Sequence, residues 1–155
     1  MITGARKGFT LLEILLVVAA IAILAGIVIF AINPGKQLAE TRNAQRRIDV
    51  STILNAIYQY NLDNGTFPAN LPTATTADCL NDAVYEVCLI GVGSCTTVDL
   101  SVLTDNQVYL TDIPADPSGG GYDAGSGYHA LKNENNRITV CAPRSENGIY
   151  ILKSL

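Results

Sequence analysis

From Ile14 to Ile32 the chain runs 19 residues without a charge. As a helix this stretch reaches about 28 Å, close to the roughly 30 Å hydrocarbon core of a bilayer. Thirteen of these residues are Ile, Leu, Val or Phe, which on an insertion scale supply on the order of −6 kcal/mol, whereas a carboxylate costs about 3 kcal/mol at the bilayer centre and less at the edge, where Glu13 lies. A membrane-inserted helix is therefore expected despite the glutamate. Arg6 and Lys7 precede it and no comparable basic cluster follows directly, so the positive-inside rule places the N-terminus in the cytoplasm and exports the rest.

The exported part is acidic: after Gly65 there are four Lys or Arg against ten Asp or Glu. Phosphate-backbone binding is driven by Lys and Arg releasing counterions, so no dedicated nucleic-acid surface is expected. All four cysteines, Cys79, Cys88, Cys95 and Cys141, lie beyond the apolar run. An even count in an oxidising compartment reads as two disulfides, with buried free thiols as the alternative. Three connectivities are open. The short loop across "LIGVGS" favours Cys88 with Cys95, leaving Cys79 with Cys141 to tie a loop to the final sheet.

After the apolar run, Asn33, Pro34 and Gly35 interrupt the helical pattern, because proline lacks a backbone donor and disfavours helix before it. A kink or short unwound stretch at Pro34 is expected, with helix resuming at Lys36. Val50, Ile53, Leu54, Ile57 and Tyr60 or Asn61 then recur at spacings of three and four, one apolar stripe. Lys36, Glu40, Arg42, Arg46, Arg47 and Asp49 form a moderately basic band read as a solvated helix face, with contacts to other subunits or to lipid headgroups as the alternative. Asn64 and Gly65 supply a left-handed cap and Pro68 blocks continuation. A nearly continuous helix from Phe9 to Asn64, about 84 Å long, is longer than the small domain that follows requires.

Beyond Gly65 the texture turns to short β-prone runs between Gly, Pro, Asn, Asp and Thr. "AVYEVCLIG" is a possible strand and "VDLSVL" a possible helical turn opened by Asp99. The tail "GYHALKNENNRITVCAPRSENGIYILKS" reads as three strands with a turn at Asn133 to Asn136 and a loop around Glu146 to Gly148, an antiparallel meander. Its inner face can pack on Ile53, Leu54 and Ile57, which makes the fold class α+β. "IPADPSGGGYDAGSG" has no Walker pattern; Asp112, Asp116 and Asp123 are weak calcium candidates without EF-hand spacing, and a plain loop is the favoured reading. Asn64-Gly65-Thr66 matches a glycosylation sequon that helix capping already explains. His129 has no evident nucleophile or metal partner in the sequence, and no cofactor is expected.

"KGFTLLE" followed by an apolar helix resembles the processing signature of type IV pilins and their pseudopilin relatives. The likeness is strongest over Arg6 to Ile32 and extends loosely through "NGTFP" to "IPADP". It implies that a membrane-embedded prepilin peptidase cuts between Gly8 and Phe9 and methylates the new amine of Phe9. Residues 1–8 are then a removed leader, 9–32 a transmembrane and filament-core helix, 33–65 an amphipathic helix and 66–155 a globular head. The implied partners are identical subunits in a helical filament, the peptidase, inner-membrane assembly machinery and, before assembly, the membrane itself. The precursor would sit in the inner membrane as a single span and the mature chain in a surface filament, with Glu13 pairing with the Phe9 ammonium of a neighbouring subunit.

The implied function is structural, as a pilin of a type IV pilus-like filament or alternatively a pseudopilin of a type II secretion system. A secreted or anchored binding domain, cut at Ala20-Ile21-Ala22, is less favoured because signal-peptide apolar regions run only about 7–15 residues. An enzyme is disfavoured, since no nucleophile, base and orienting group or metal cluster is visible.

Overall fold

The computed structural model describes residues 8–76, 78–81, 83–93, 96–119 and 124–155. The chain divides into two compact units, Met1–Leu38 and Ala39–Leu155.

In the first unit, α1 spans Leu11–Ile32 and none of its residues is buried. It starts at Leu11 because Thr10 has extended backbone (φ −82°, ψ 149°) and its Oγ1 accepts from the Glu13 N–H at 3.2 Å. That bond satisfies one of the donors a helix N-terminus leaves unpaired. Its end is Asn33, in the left-handed region at φ 49°, a conformation asparagine tolerates better than most residues. The interruption is thus one residue earlier and shorter than expected. α2 spans Pro34–Asn64, with proline at the first helical position, where its missing N–H is no loss. Asn33 O accepts from Lys36 N–H at 3.1 Å.

From Ala39 onward α2 packs one face into the head. Val50, Ile53, Leu54, Ala56 and Ile57 join Leu71, Val87, Val98, Leu100, Leu103, Tyr128, Ile138, Val140 and Ile151 in one core. α2 ends at Asn64 with Gly65 at φ 71° and its N–H bonded to Asn61 O at 2.8 Å, as the sequence led one to expect.

Four strands are present among the described residues: β1 Glu86–Cys88, β2 Gly125–Lys132, β3 Ile138–Ala142 and β4 Ile151–Ser154, in that spatial order. All pairs are antiparallel, with Ala130 opposite Val140 and Val140 opposite Lys153. The expected three-stranded tail is therefore β2 to β4, and its first turn closes with Asn136 N–H to Asn133 O at 2.9 Å. The additional strand is shorter than "AVYEVCLIG" suggested, because Ala83–Tyr85 form a 3₁₀ turn. Asp99 Oδ1 accepts from Ser101 N–H at 2.8 Å just ahead of the 3₁₀ turn Ser101–Leu103, whose cap position is Leu100.

Candidate functional site

The segment that the sequence marks for expected processing is Gly8 to Glu13. Gly8, Phe9 and Thr10 lie outside the helix and are exposed, Phe9 at 79%. An exposed, non-helical segment is accessible to a peptidase. Glu13 sits in the first turn of α1, where the helix dipole favours a negative charge by about 0.3–1 kcal/mol. Thr10-Leu11-Leu12-Glu13 has capping-box spacing and the Thr10 half of that box is formed. The Thr10 to Glu13 spacing in the sequence itself carries this local reason for a carboxylate. Beyond it α1 presents apolar surface on every side, from Leu11 at 82% to Phe30 at 93% exposed. Its 22 residues have a mean hydropathy of 3.2 and rise about 33 Å.

The head holds a buried ionic cluster where a solvated face was expected. Arg46 is fully buried. Its Nε donates to Asp116 Oδ2 at 2.7 Å, its Nη2 to Asp116 Oδ1 at 3.0 Å and Ser118 Oγ at 2.9 Å, and its Nη1 to Glu146 Oε1 at 2.8 Å and Asn43 Oδ1 at 2.9 Å. Arg42 also bridges to Glu146, through Nε at 2.6 Å and through Nη2. The basic band is therefore corrected at Arg46, Asp49 and, in part, Arg42. Arg46 precedes Val50, Ile53 and Leu54 by four, seven and eight residues, so helical periodicity puts it in the apolar stripe itself. That spacing was the overlooked signal. Arg47, Lys36 and Glu40 are exposed.

Charges so enclosed perturb one another. The hydrogen bond from Arg42, then that from Arg46, holds the Glu146 carboxyl down at about 2. Burial pushes the Asp116 carboxyl up, but hydrogen bonds from Arg46 and Ser118 outweigh it and leave it below the usual carboxylate range. The pairing with Asp116 raises Arg46 against the opposing effect of burial. Beside this cluster the Tyr128 hydroxyl donates to Asp49 Oδ2 at 2.6 Å, and burial followed by that carboxylate pushes its pKa up. Gly127 lets β2 pass close by: it lies at φ 83°, and a Cβ there would meet Asp116 Cβ at 2.7 Å.

Of the calcium candidates, Asp116 turns both carboxylate oxygens to Arg46, Asp112 Oδ1 accepts from Ile113 N–H at 2.8 Å, and Asp123 lies outside the described residues. No group of three or more His, Cys, Asp or Glu suited to a metal is found among the described residues. His129 lies on β2 with Nδ1 2.7 Å from Cys79 O, so that nitrogen carries the proton. A disulfide joins Cys79 to Cys141, tying the loop to β3. Cys88 is also disulfide-bonded; Cys95, its expected partner, lies outside the described residues. Buried Glu86, absent from the sequence-based candidates, accepts from Gly127 N–H at 2.9 Å.

Residues 4–29 match a family model described as the prokaryotic N-terminal methylation motif. The chain is 31% identical over 120 residues to the type II secretion system core protein G of Escherichia coli, covering 77% of this chain and 72% of that protein. It is 28% identical over 117 residues to the type IV wide pilus major component PilA4 of Thermus thermophilus, covering 68% of this chain and 88% of that one. No solved structure gives a significant match.

Proposed function

The chain belongs to the type IV pilin and pseudopilin family, and on that premise we propose that it is a structural subunit of a type IV pilus-like surface filament. The observation that carries this is α1, a helix with no buried residue whose surface beyond Glu13 is apolar on every side. Such a surface is stable only when covered. Lipid covers it in the precursor, and α1 helices of identical subunits cover it in the filament.

The precursor spans the inner membrane once, with Arg6 and Lys7 on the cytoplasmic side. Prepilin peptidase cuts between Gly8 and Phe9, where glycine leaves the scissile bond unobstructed, and the new Phe9 amine is methylated. The resulting ammonium lies four residues before Glu13. Between neighbouring subunits such a pair attracts by about 4 kcal/mol at 4 Å and an effective dielectric of 20, much of it offset by desolvation. A wrong axial register would leave both charges buried and unpaired, so the pair selects register more than it adds stability.

A pseudopilus of a type II secretion system is the second reading, favoured by the 31% identity to a secretion core protein. The test is mass spectrometry of sheared surface filaments beside a secretion assay on a deletion strain. Filaments built of a chain beginning at N-methylated Phe9 support the pilus. Lost protein export from a strain without such filaments transfers the chain to the pseudopilus. A mature N-terminus after Ala22 overturns both.

A further inference from the structure

The head carries two exposed patches of opposite charge at separate positions along α2. At one of them, β4, at the sheet edge, and α2 together line a groove of about 270 Å³ among Arg47, Val50, Ser51, Tyr150, Leu152 and Lys153. Tyr150 is 79% exposed and Leu152 43%. Arg47 and Lys153 are exposed cations, with Lys153 Nζ 3.4 Å from Ser51 Oγ.

At the other the segment 105–112 lies against the end of α2, where Tyr109 stacks edge-on with Tyr60 at 5.6 Å and its hydroxyl accepts from Asn64 Nδ2 at 3.2 Å. Here Leu62 is 79% exposed and Val108 63%, beside the exposed carboxylates Asp63, Asp105 and Asp112. Arg47 and Asp63 are 16 residues apart on one helix, which at 1.5 Å per residue separates them by about 24 Å along its axis.

We propose that these patches are the two halves of one contact between copies of this chain, the acidic 105–112 side of one head docking against the basic β4 groove of the next. The partner is a second copy because each patch offers what the other lacks: two cations around an aromatic and aliphatic groove, and carboxylates around two projecting aliphatic side chains. Each patch differs from its mate and the two are separate along α2, so the contact is heterologous. A heterologous contact repeats without closing, which generates a helical array. The proposal rests on the filament reading and supplies its head-to-head interface.

Two measurements on the full chain in its native host test it. The first is the yield of sheared filaments from charge-reversed variants. Arg47→Glu with Lys153→Glu should lower it at least tenfold, as should Asp63→Lys with Asp105→Lys, with membrane amounts unchanged. The fourfold variant restores complementarity and should recover most of the yield. The second is cross-linking in membranes between differently tagged copies carrying Leu152→Cys and Val108→Cys, which reads the contact without requiring filaments. A mixed dimer, lost on one-sided charge reversal, is expected. Normal filaments from one-sided reversals, no recovery in the fourfold variant, or no mixed dimer overturns the pairing and leaves the filament reading standing. A mixed dimer in a strain whose surface filaments lack this chain overturns the filament reading and leaves the pairing.

Discussion

Replacing Arg46 by methionine removes a guanidinium of similar length that makes five hydrogen bonds to Asn43, Asp116, Ser118 and Glu146. Asp116, 3% exposed, then stays buried with its main cation gone, and breaking a buried pair from one side costs about 3–5 kcal/mol. For a head of this size, with Tm moving about 4 °C per kcal/mol, the melting midpoint should fall by roughly 12–20 °C. With seven tyrosines and no tryptophan in the chain, near-ultraviolet circular dichroism of the full chain in detergent follows the head separately from α1. Adding Asp116→Leu to Arg46→Met removes the stranded charge and should recover much of the loss. A single variant melting within about 4 °C of the parent would refute the view that this pair clasps the head to α2.

Glu146 makes a pH prediction. Its folded pKa of about 2 lies below the ordinary 4.5, so its contribution is complete above about pH 4.5 and drains away as pH falls toward 2. Between those limits the Tm of the parent should drop more steeply than that of Glu146→Gln; parallel curves would contradict the pairing. Replacing Cys79 and Cys141 together by serine opens a bridge with a sequence separation of 62, a loss of about 4 kcal/mol by loop-closure entropy, read as a lower midpoint in thermal melts. Glu13→Leu should insert in the membrane and be cleaved, yet yield few or no sheared filaments; abundant filaments from processed protein would remove Glu13 from assembly.

Local chemistry wrote α1, the Asn64-Gly65 cap and the β2 to β4 turns into short stretches of sequence, and these were legible. What was not legible depends on distant partners. The partners of Arg46 are 70 and 100 residues away, so a basic residue in an amphipathic helix looked like solvent-facing charge. Its place in the apolar stripe showed that it was enclosed but not by what. Glu86 was hidden for the same reason: its site is made by Gly125 and Gly127, on whose backbone its carboxylate rests. The pairing of Cys79 with Cys141 was one of three connectivities until the register of β2 and β3 placed His129 opposite Cys141 and the Cys79 carbonyl against His129.

Thr10 and Glu13 show how one short stretch can serve two scales of structure. Within the chain, Thr10 caps α1 and Glu13 sits at its positive end, each worth about 1 kcal/mol or less, and neither necessary for a helix already favoured by burial in lipid. Between chains, under the proposed filament reading, an unpaired ammonium in a dry core would cost several kcal/mol at every subunit, and a filament would repeat that cost along its length. The two roles are separable because they scale differently. A Thr10→Ala change weakens the cap and leaves both charges in place, so it should lower filament yield only modestly. Glu13→Gln keeps the side chain's shape and removes the charge that pairing requires, so it should behave like Glu13→Leu. If the two single variants instead lowered filament yield equally with processing intact, the cap and not the charge would set assembly.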